Sequence, residues 1–164
     1  MKLRKLVVLV AGFAVATALG GCSLLGLTDH RDPDGHITAS TNVNPFALRV
    51  GDCLITVNLD SNVATLPVVP CSDAHNAEVF HMFDLPDGAF DEPAIRDAAD
   101  TVCYQVVEEY VGPRYYAVSS GGLKVFFFIP SAASWDNGDR SVSCLAATVS
   151  DETELTSSIR GQGA

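Results

Sequence analysis

Beyond residue 45 the apolar positions fall into short blocks divided by turn formers, and the period inside each block sets the element it predicts. Phe46 to Asn58 places Leu48, Val50, Leu54 and Val57 among turn formers, a strand pattern in which Gly51-Asp52 marks a bulge or tight bend just before Cys53. Val63 to Val69 answers it across a turn at Asp60-Ser61-Asn62. Asn76 to Leu85 alternates, with Ala77, Val79, His81 and Phe83 on one face and Glu78, Phe80 and Met82 on the other; Pro86-Asp87-Gly88 closes it. The period then changes. From Pro93 to Val111 the apolar residues Ile95, Ala98, Ala99, Val102, Val106 and Tyr110 recur at helical spacing, so that one face of a helix can be buried. Asp91 and Glu92 suit the positive end of its dipole, Pro93 fits its first turn, and Gly112-Pro113 stops it. Leu123 to Ile129 is an uninterrupted apolar run ended by Pro130, expected in a central strand buried on both faces. Ser131 to Gly138 reads as a loop, and Arg140 to Val149 as a closing strand with Val142, Cys144 and Ala146 pointing one way. The sum is an α+β domain, a mostly antiparallel sheet of about five strands with one main helix packed on a face. The polar tail from Asp151 to Ala164 is expected to fray.

The N-terminal block has a different logic. Lys2, Arg4 and Lys5 precede Leu6 to Leu19, which carries no charge. As a helix that run would extend only ~21 Å, short of a ~30 Å hydrocarbon core, so a signal peptide is favoured over a membrane span. Leu19-Gly20-Gly21-Cys22 resembles the bacterial lipobox, which implies cleavage after Gly21 and diacylation of the Cys22 thiol. More than one acyl chain gives stable anchoring where a single chain does not. Ser23 to Asn44 is polar, interrupted by Asp32-Pro33-Asp34-Gly35, and without period; it reads as a flexible tether spanning roughly 25 to 30 Å. The chain therefore divides into a signal peptide over 1–21, a lipidated Cys22 with its tether over 22–44, a folded domain over 45–150 and a tail over 151–164.

Charge narrows the partners. The 164 residues hold 10 Lys plus Arg against 20 Asp plus Glu, a formal net charge of -10. Loss of the three leader cations would leave 7 against 20, formally -13, in the remainder. No nucleic acid is expected, because phosphate binding rests on concentrated Lys and Arg. Contact with a membrane is expected through acyl chains on Cys22 rather than through the domain surface. The expected location is the outer face of the plasma membrane, lipid-anchored.

With Cys22 set aside, Cys53, Cys71, Cys103 and Cys144 make an even number, which in an exported chain reads as two disulfides. Three pairings are open. Cys53 and Cys71 lie on two extended stretches joined by a turn, Cys103 on the helix and Cys144 on the last strand, and this favours Cys53 with Cys71 and Cys103 with Cys144. Neither a C-x-x-C nor a His-x-x-x-His spacing is present to support structural zinc.

Four pieces stand in order: Phe46-Ala47-Leu48-Arg49-Val50-Gly51-Asp52-Cys53-Leu54; Pro70-Cys71 with Ala74-His75-Asn76-Ala77-Glu78-Val79-Phe80; Cys103 on its helix; and Pro130, Trp135, Gly138-Asp139-Arg140 and Cys144. Together they resemble the actinobacterial septum-formation domain family. The resemblance covers roughly residues 46–149. It implies an exported lipoprotein, or the extracytoplasmic end of a membrane protein, linked to cell division, and it transfers no catalytic residue.

The chemical motifs compete individually with structural roles. His75-x-x-Glu78-x-x-His81 would share one side of a helix and could hold a metal. On a strand the two histidines would stand about 20 Å apart with Glu78 facing away, so His75 and Glu78 read as members of a polar network. His30, Asp32, Asp34 and Gly35 match part of a calcium loop, but position twelve is Thr41 rather than Glu. There is no G-x-S-x-G or S-x-x-K, and a triad of His75, Asp73 and a distant Ser has no local signature. Glu108-Glu109 and Asp91-Glu92 belong to the helix surface and cap. Trp135, Asp139 and Arg140 form the other candidate recognition cluster, with a structural role in the loop as the alternative. These readings lead to no cofactor and no metal. The expected function is a non-enzymatic binding or scaffolding module in envelope or septum biology, with an envelope or septal protein or a cell-wall component as partner. The competing reading is an envelope hydrolase or metal- or ligand-binding enzyme using His75 and Glu78.

Overall fold

The computed structural model describes residues 30–56, 65–118, 122–150 and 154–164. The signal peptide, Cys22, the turn at Asp60-Ser61-Asn62 and Ser119-Ser120-Gly121 lie outside the described residues. The fold is α+β: a curled antiparallel sheet of six strands, one long helix and two disulfides. The strands are β1 (Thr41–Val43), β2 (Cys53–Leu54), β3 (Leu66–Val69), β4 (Ala77–Asp84), β5 (Leu123–Phe128) and β6 (Ser141–Thr148). Their order across the sheet is β1-β3-β2-β4-β6-β5. Helix α1 (Glu92–Val111) follows β4, and a short helix α2 (Ala132–Asp136) precedes β6.

Helix α1 forms where the period predicts it. Asp91 caps it by accepting from the Ala94 N–H at 3.2 Å, and Gly112, at φ +112°, ends it. Its buried stripe is Ile95, Ala99, Cys103, Val107 and Val111, every fourth residue. That stripe lies on Phe80, Val142, Cys144 and Ala146 of the sheet. The other sheet face covers a second core built by Ile37, Val43, Leu48, Leu54, Leu66, Val79 and Leu145.

Several elements differ from the sequence reading, each for a physical reason. The strand expected from Phe46 shrinks to Cys53–Leu54, because Asn44 caps a 3₁₀ turn over Pro45–Ala47. The sixth strand, β1, comes from the segment read as tether, whose Val43 is buried beside Leu66 of β3. Upstream, the Arg31 guanidinium meets both Asp52 oxygens at 2.5 and 2.8 Å, and both side chains are almost wholly buried. Residues 30–44 thus belong to the domain body. In β4 the register shifts between Val79 and His81, so the alternation changes phase: Phe80 and Phe83 join the helix-side core and Met82 the other. The run Leu123–Phe128 is the last strand of the sheet order and half-buried rather than central, since β6 is its only strand neighbour among the described residues. Ser131 to Gly138 holds α2, nucleated by a reciprocal Ser131–Ser134 capping box.

The C-terminal tail is the largest departure. Residues 154–164 do not fray. Leu155 exchanges both backbone hydrogen bonds with His75, at 3.0 and 2.7 Å, and Leu155 and Ile159 are buried in the helix-side core. The segment ends against the stop of α1, where Gly163 N–H donates to Val111 C=O at 2.7 Å and Arg114 N–H donates to Gly163 C=O at 3.0 Å.

Candidate functional site

The chemistry-bearing residues gather at the junction of β2, β4, α1 and the C-terminal segment. Antiparallel pairing sets Cys53 of β2 opposite Glu78 of β4. Glu78 is fully buried, and three donors converge on its two oxygens. The Tyr110 hydroxyl donates to Oε1 at 2.5 Å, the Ser158 hydroxyl donates to Oε1 at 2.8 Å, and the Ile159 N–H donates to Oε2 at 2.8 Å. An acceptor-only carboxylate matches such a set, and a buried one needs it. Burial, reinforced by the hydrogen bond to Glu78, pushes the Tyr110 phenol well above its ordinary range. The Arg160 guanidinium lies over the Tyr110 ring at 4.2 Å, closing the cluster on its outer side.

His75 stands at the same junction. Strand alternation places it away from Glu78, but β4 begins only at Ala77, and the bridge to Leu155 turns His75 inward. A ring nitrogen of His75, Sγ of Cys53 and a carboxylate oxygen of Glu78 lie within 4.8 Å of one another. His75 Nδ1 is 2.8 Å from the Asp73 carbonyl oxygen, a geometry in which the Nδ1–H tautomer donates. Its Nε2 is buried and has no hydrogen-bond partner among the described residues. His81, the third member of the sequence triplet, is on β4 beside Phe83 and has no part in the group.

Cys53 is bonded to Cys71 and Cys103 to Cys144, with Cα separations of 5.3 and 5.5 Å. The first bridge closes a span of 18 residues beside His75; the second ties α1 to β6 across the core. Asp73 contributes its backbone oxygen to His75, and its exposed carboxylate accepts from Ser72, so it does not orient a triad.

Trp135, Asp139 and Arg140 form a separate cluster. Arg140 stacks on the Trp135 ring at 3.9 Å, donates to the Trp135 carbonyl oxygen at 2.9 Å and meets Asp87 at 3.1 Å. Trp135 donates its indole N–H to Gly88 C=O at 3.0 Å and packs edge-on against Phe90. Asp139 accepts from Ser141 N–H at 3.0 Å, starting β6. A shallow depression beside this cluster, lined by Phe46, Ser131, Asn137 and Asp139, includes neither His75 nor Glu78. The partial calcium motif is an Asx turn: Asp32 accepts from the N–H groups of Asp34 and His36, and the His36 amide leads in holding the Asp32 carboxyl below its usual range.

Sequence reasoning missed Tyr110, Ser158 and Ile159 as partners of Glu78, and Cys53 as a neighbour of His75. The spacing of Leu155 and Ile159, four apart in a polar tail, was the one available signal. Among the described residues no helix is long and apolar enough to cross a membrane.

No curated protein and no solved structure matches the chain. The family model described as "Septum formation" matches residues 28–144, well over half of its length. That match starts near the first described residue, spans all four paired cysteines and includes the Arg31–Asp52 pair, His75 and Glu78. The chain belongs to the septum-formation family.

Proposed function

We propose that the protein is a lipid-anchored, extracytoplasmic binding or scaffolding module, without enzymatic activity, that serves cell division or envelope assembly. Family membership carries the broad assignment to division or envelope biology. The finer reading rests on one observation: the polar side chains that an enzyme would expose are buried or held in internal pairs. Glu78 is held by Tyr110, Ser158 and Ile159; Asp139 and Arg140 hold the α2–β6 loop; and His75 is buried beneath the C-terminal segment. A general acid or base needs reach to substrate, which the buried His75 and Glu78 do not have in this arrangement. The lipobox-like Leu19-Gly20-Gly21-Cys22 and the acidic surface support anchoring by acyl chains, with the domain held off anionic lipid.

Two measurements test this. Mass spectrometry of the N-terminal peptide from membranes should find an acylated Cys22, and an unmodified thiol there ends the anchoring claim. Affinity capture from envelope membranes should enrich the same partner with the full chain and, more weakly, with a form beginning at Ser23. Enrichment of no envelope component by either form, or turnover of cell-wall substrate lost in Glu78→Gln, overturns the scaffold reading. A tagged copy should concentrate at division sites, whereas uniform envelope labelling removes the septal role and leaves the anchoring claim untouched.

A further inference from the structure

We infer that the chain carries a latent zinc site closed by the Cys53–Cys71 disulfide, in which reduction supplies thiolates to an imidazole and a carboxylate already in place. Three observations converge on it. His75 Nε2 is buried and finds no partner, while Nδ1 faces the Asp73 carbonyl, so the tautomer that satisfies Nδ1 turns a bare lone pair of Nε2 toward the interior. Native structures rarely leave such a buried atom unpaired. The Cys53 sulfur, a Glu78 oxygen and a His75 nitrogen lie within 4.8 Å of one another, and Cys53 Sγ is 3.6 Å from Glu78 Oε2. Sulfur and oxygen bound to one tetrahedral zinc, at ordinary bond lengths, stand ~3.5 Å apart, so this pair already has ligand spacing.

The disulfide explains why the group is not a site as folded, since bonded sulfur is a poor donor and the thiolate is the metal ligand. Cys71, half-buried, is the sulfur open to exchange, whereas Cys53 is fully buried. Reduction breaks the S–S bond with two electrons and two protons, from two small thiols that leave as their disulfide or from a phosphine that leaves as its oxide with the oxygen of one water. Each cysteine thiol then passes its proton to solvent as it binds zinc. The Cα atoms are 5.3 Å apart, and the two freed sulfurs must part to ~3.8 Å to share one tetrahedral ion; Cys71 lies outside the 4.8 Å group, so its side chain must turn toward His75 and Glu78 to complete a four-ligand set with Cys53. Tyr110 and Ser158 on Glu78 Oε1, and Asp73 on His75 Nδ1, would orient two of the ligands from behind. The Cys103–Cys144 pair has no such neighbours among the described residues.

The test uses the full chain with Cys22→Ser, purified in detergent, and titrates zinc against a chromophoric chelator before and after phosphine reduction. Reduced protein should take up one equivalent; oxidised protein should bind at least 100-fold more weakly. Cys71→Ser, which frees the Cys53 thiol without any reductant, should bind zinc as isolated and give a thiolate-to-metal charge-transfer band with cobalt. His75→Gln and Glu78→Gln in that background should weaken binding by about 100-fold, and Tyr110→Phe by about tenfold. Replacing Cys103 and Cys144 together by Ser should leave uptake unchanged. Equal binding by the oxidised chain, uptake that survives His75→Gln, or no uptake by folded Cys71→Ser each overturns the inference. So does a reduced chain whose circular dichroism is lost and not restored by zinc.

Discussion

At the scale of single residues, the energetics concentrate on two buried carboxylates, Asp52 and Glu78, each of which fastens a distant segment of the chain. Asp52 accepts from the Arg31 guanidinium on both oxygens and from the Arg49 N–H at 2.8 Å, which fastens the segment around Arg31 to the bend before β2. Removing one member of such a pair strands the other in a medium of low polarizability, so Asp52→Asn should cost about 3 to 5 kcal/mol, read as a lower urea midpoint at unchanged slope. Glu78 has the equivalent role for the C-terminal segment around Ser158 and Ile159. Glu78→Gln keeps the volume but sets an NH₂ group either against the Tyr110 and Ser158 hydroxyls or against the Ile159 N–H, and a loss of about 2 to 3 kcal/mol follows. A midpoint within error of the wild type would show that the network is not formed in solution. Tyr110 adds a pH dependence. Its folded pKa is raised above the unfolded value, so the folded state holds the phenolic proton where the unfolded chain has released it; the stabilisation is complete below about pH 10 and declines as pH rises beyond it. In alkaline melts Tyr110→Phe should flatten that decline, and an equal slope in both proteins would refute the assignment.

At the scale of elements, the C-terminal segment behaves as an additional core piece rather than a tail. Ile159 is fully buried among residues of α1 and β6, so Ile159→Ala should cost about 2 to 5 kcal/mol, whereas Thr156→Ala, at an exposed position, should be near neutral. A truncation after residue 153 should expose Glu78 and the face of α1 and lower the melting temperature far more than loss of a frayed end could. The meeting of this segment with the end of α1 also limits position 112. Gly112 lies at φ +112°, and an added Cβ would stand 2.4 Å from the Gly163 carbonyl carbon, so Gly112→Ala must displace the segment as well as strain the backbone. The β4 bulge illustrates why face assignments by alternation fail locally: one inserted residue at Phe80 exchanges the roles of Met82 and Phe83.

Across the whole molecule, the two disulfides staple different things. The Cys103–Cys144 bridge joins helix to sheet over 41 residues, and the Cys53–Cys71 bridge closes 18 within one sheet region. Loop entropy assigns them about 4 and about 3 kcal/mol, so replacing each pair by Ala should lower stability in that order, and the reverse order in denaturant titrations would show that native contacts outweigh chain entropy. The small difference in loop entropy accompanies a large one in surroundings, because the shorter bridge alone borders His75 and Glu78. Both staples act on a sheet whose two faces carry separate cores, one under α1 and one under the N-terminal segment, so neither core is complete without a terminus folding back onto it.

Local physics wrote much of this into the chain. Helix α1, with its Asp91 cap and glycine stop, the strand character of β4, β5 and β6, and the α+β class follow from period and capping, because those signals act over a few residues and need no partner to be read. The polar cluster was only half legible: His75 and Glu78 stood out by type, and strand geometry then argued them apart. What joined them was long-range. The antiparallel register put Cys53 opposite Glu78, and the bridge of Leu155 to His75 brought in Ser158 and Ile159 from about eighty residues beyond Glu78. The same holds for Arg31 and Asp52, whose pairing made an ordered flank of a stretch with no period of its own. Burial of a charge is decided by which distant donors can reach it, and only the closed chain supplies that.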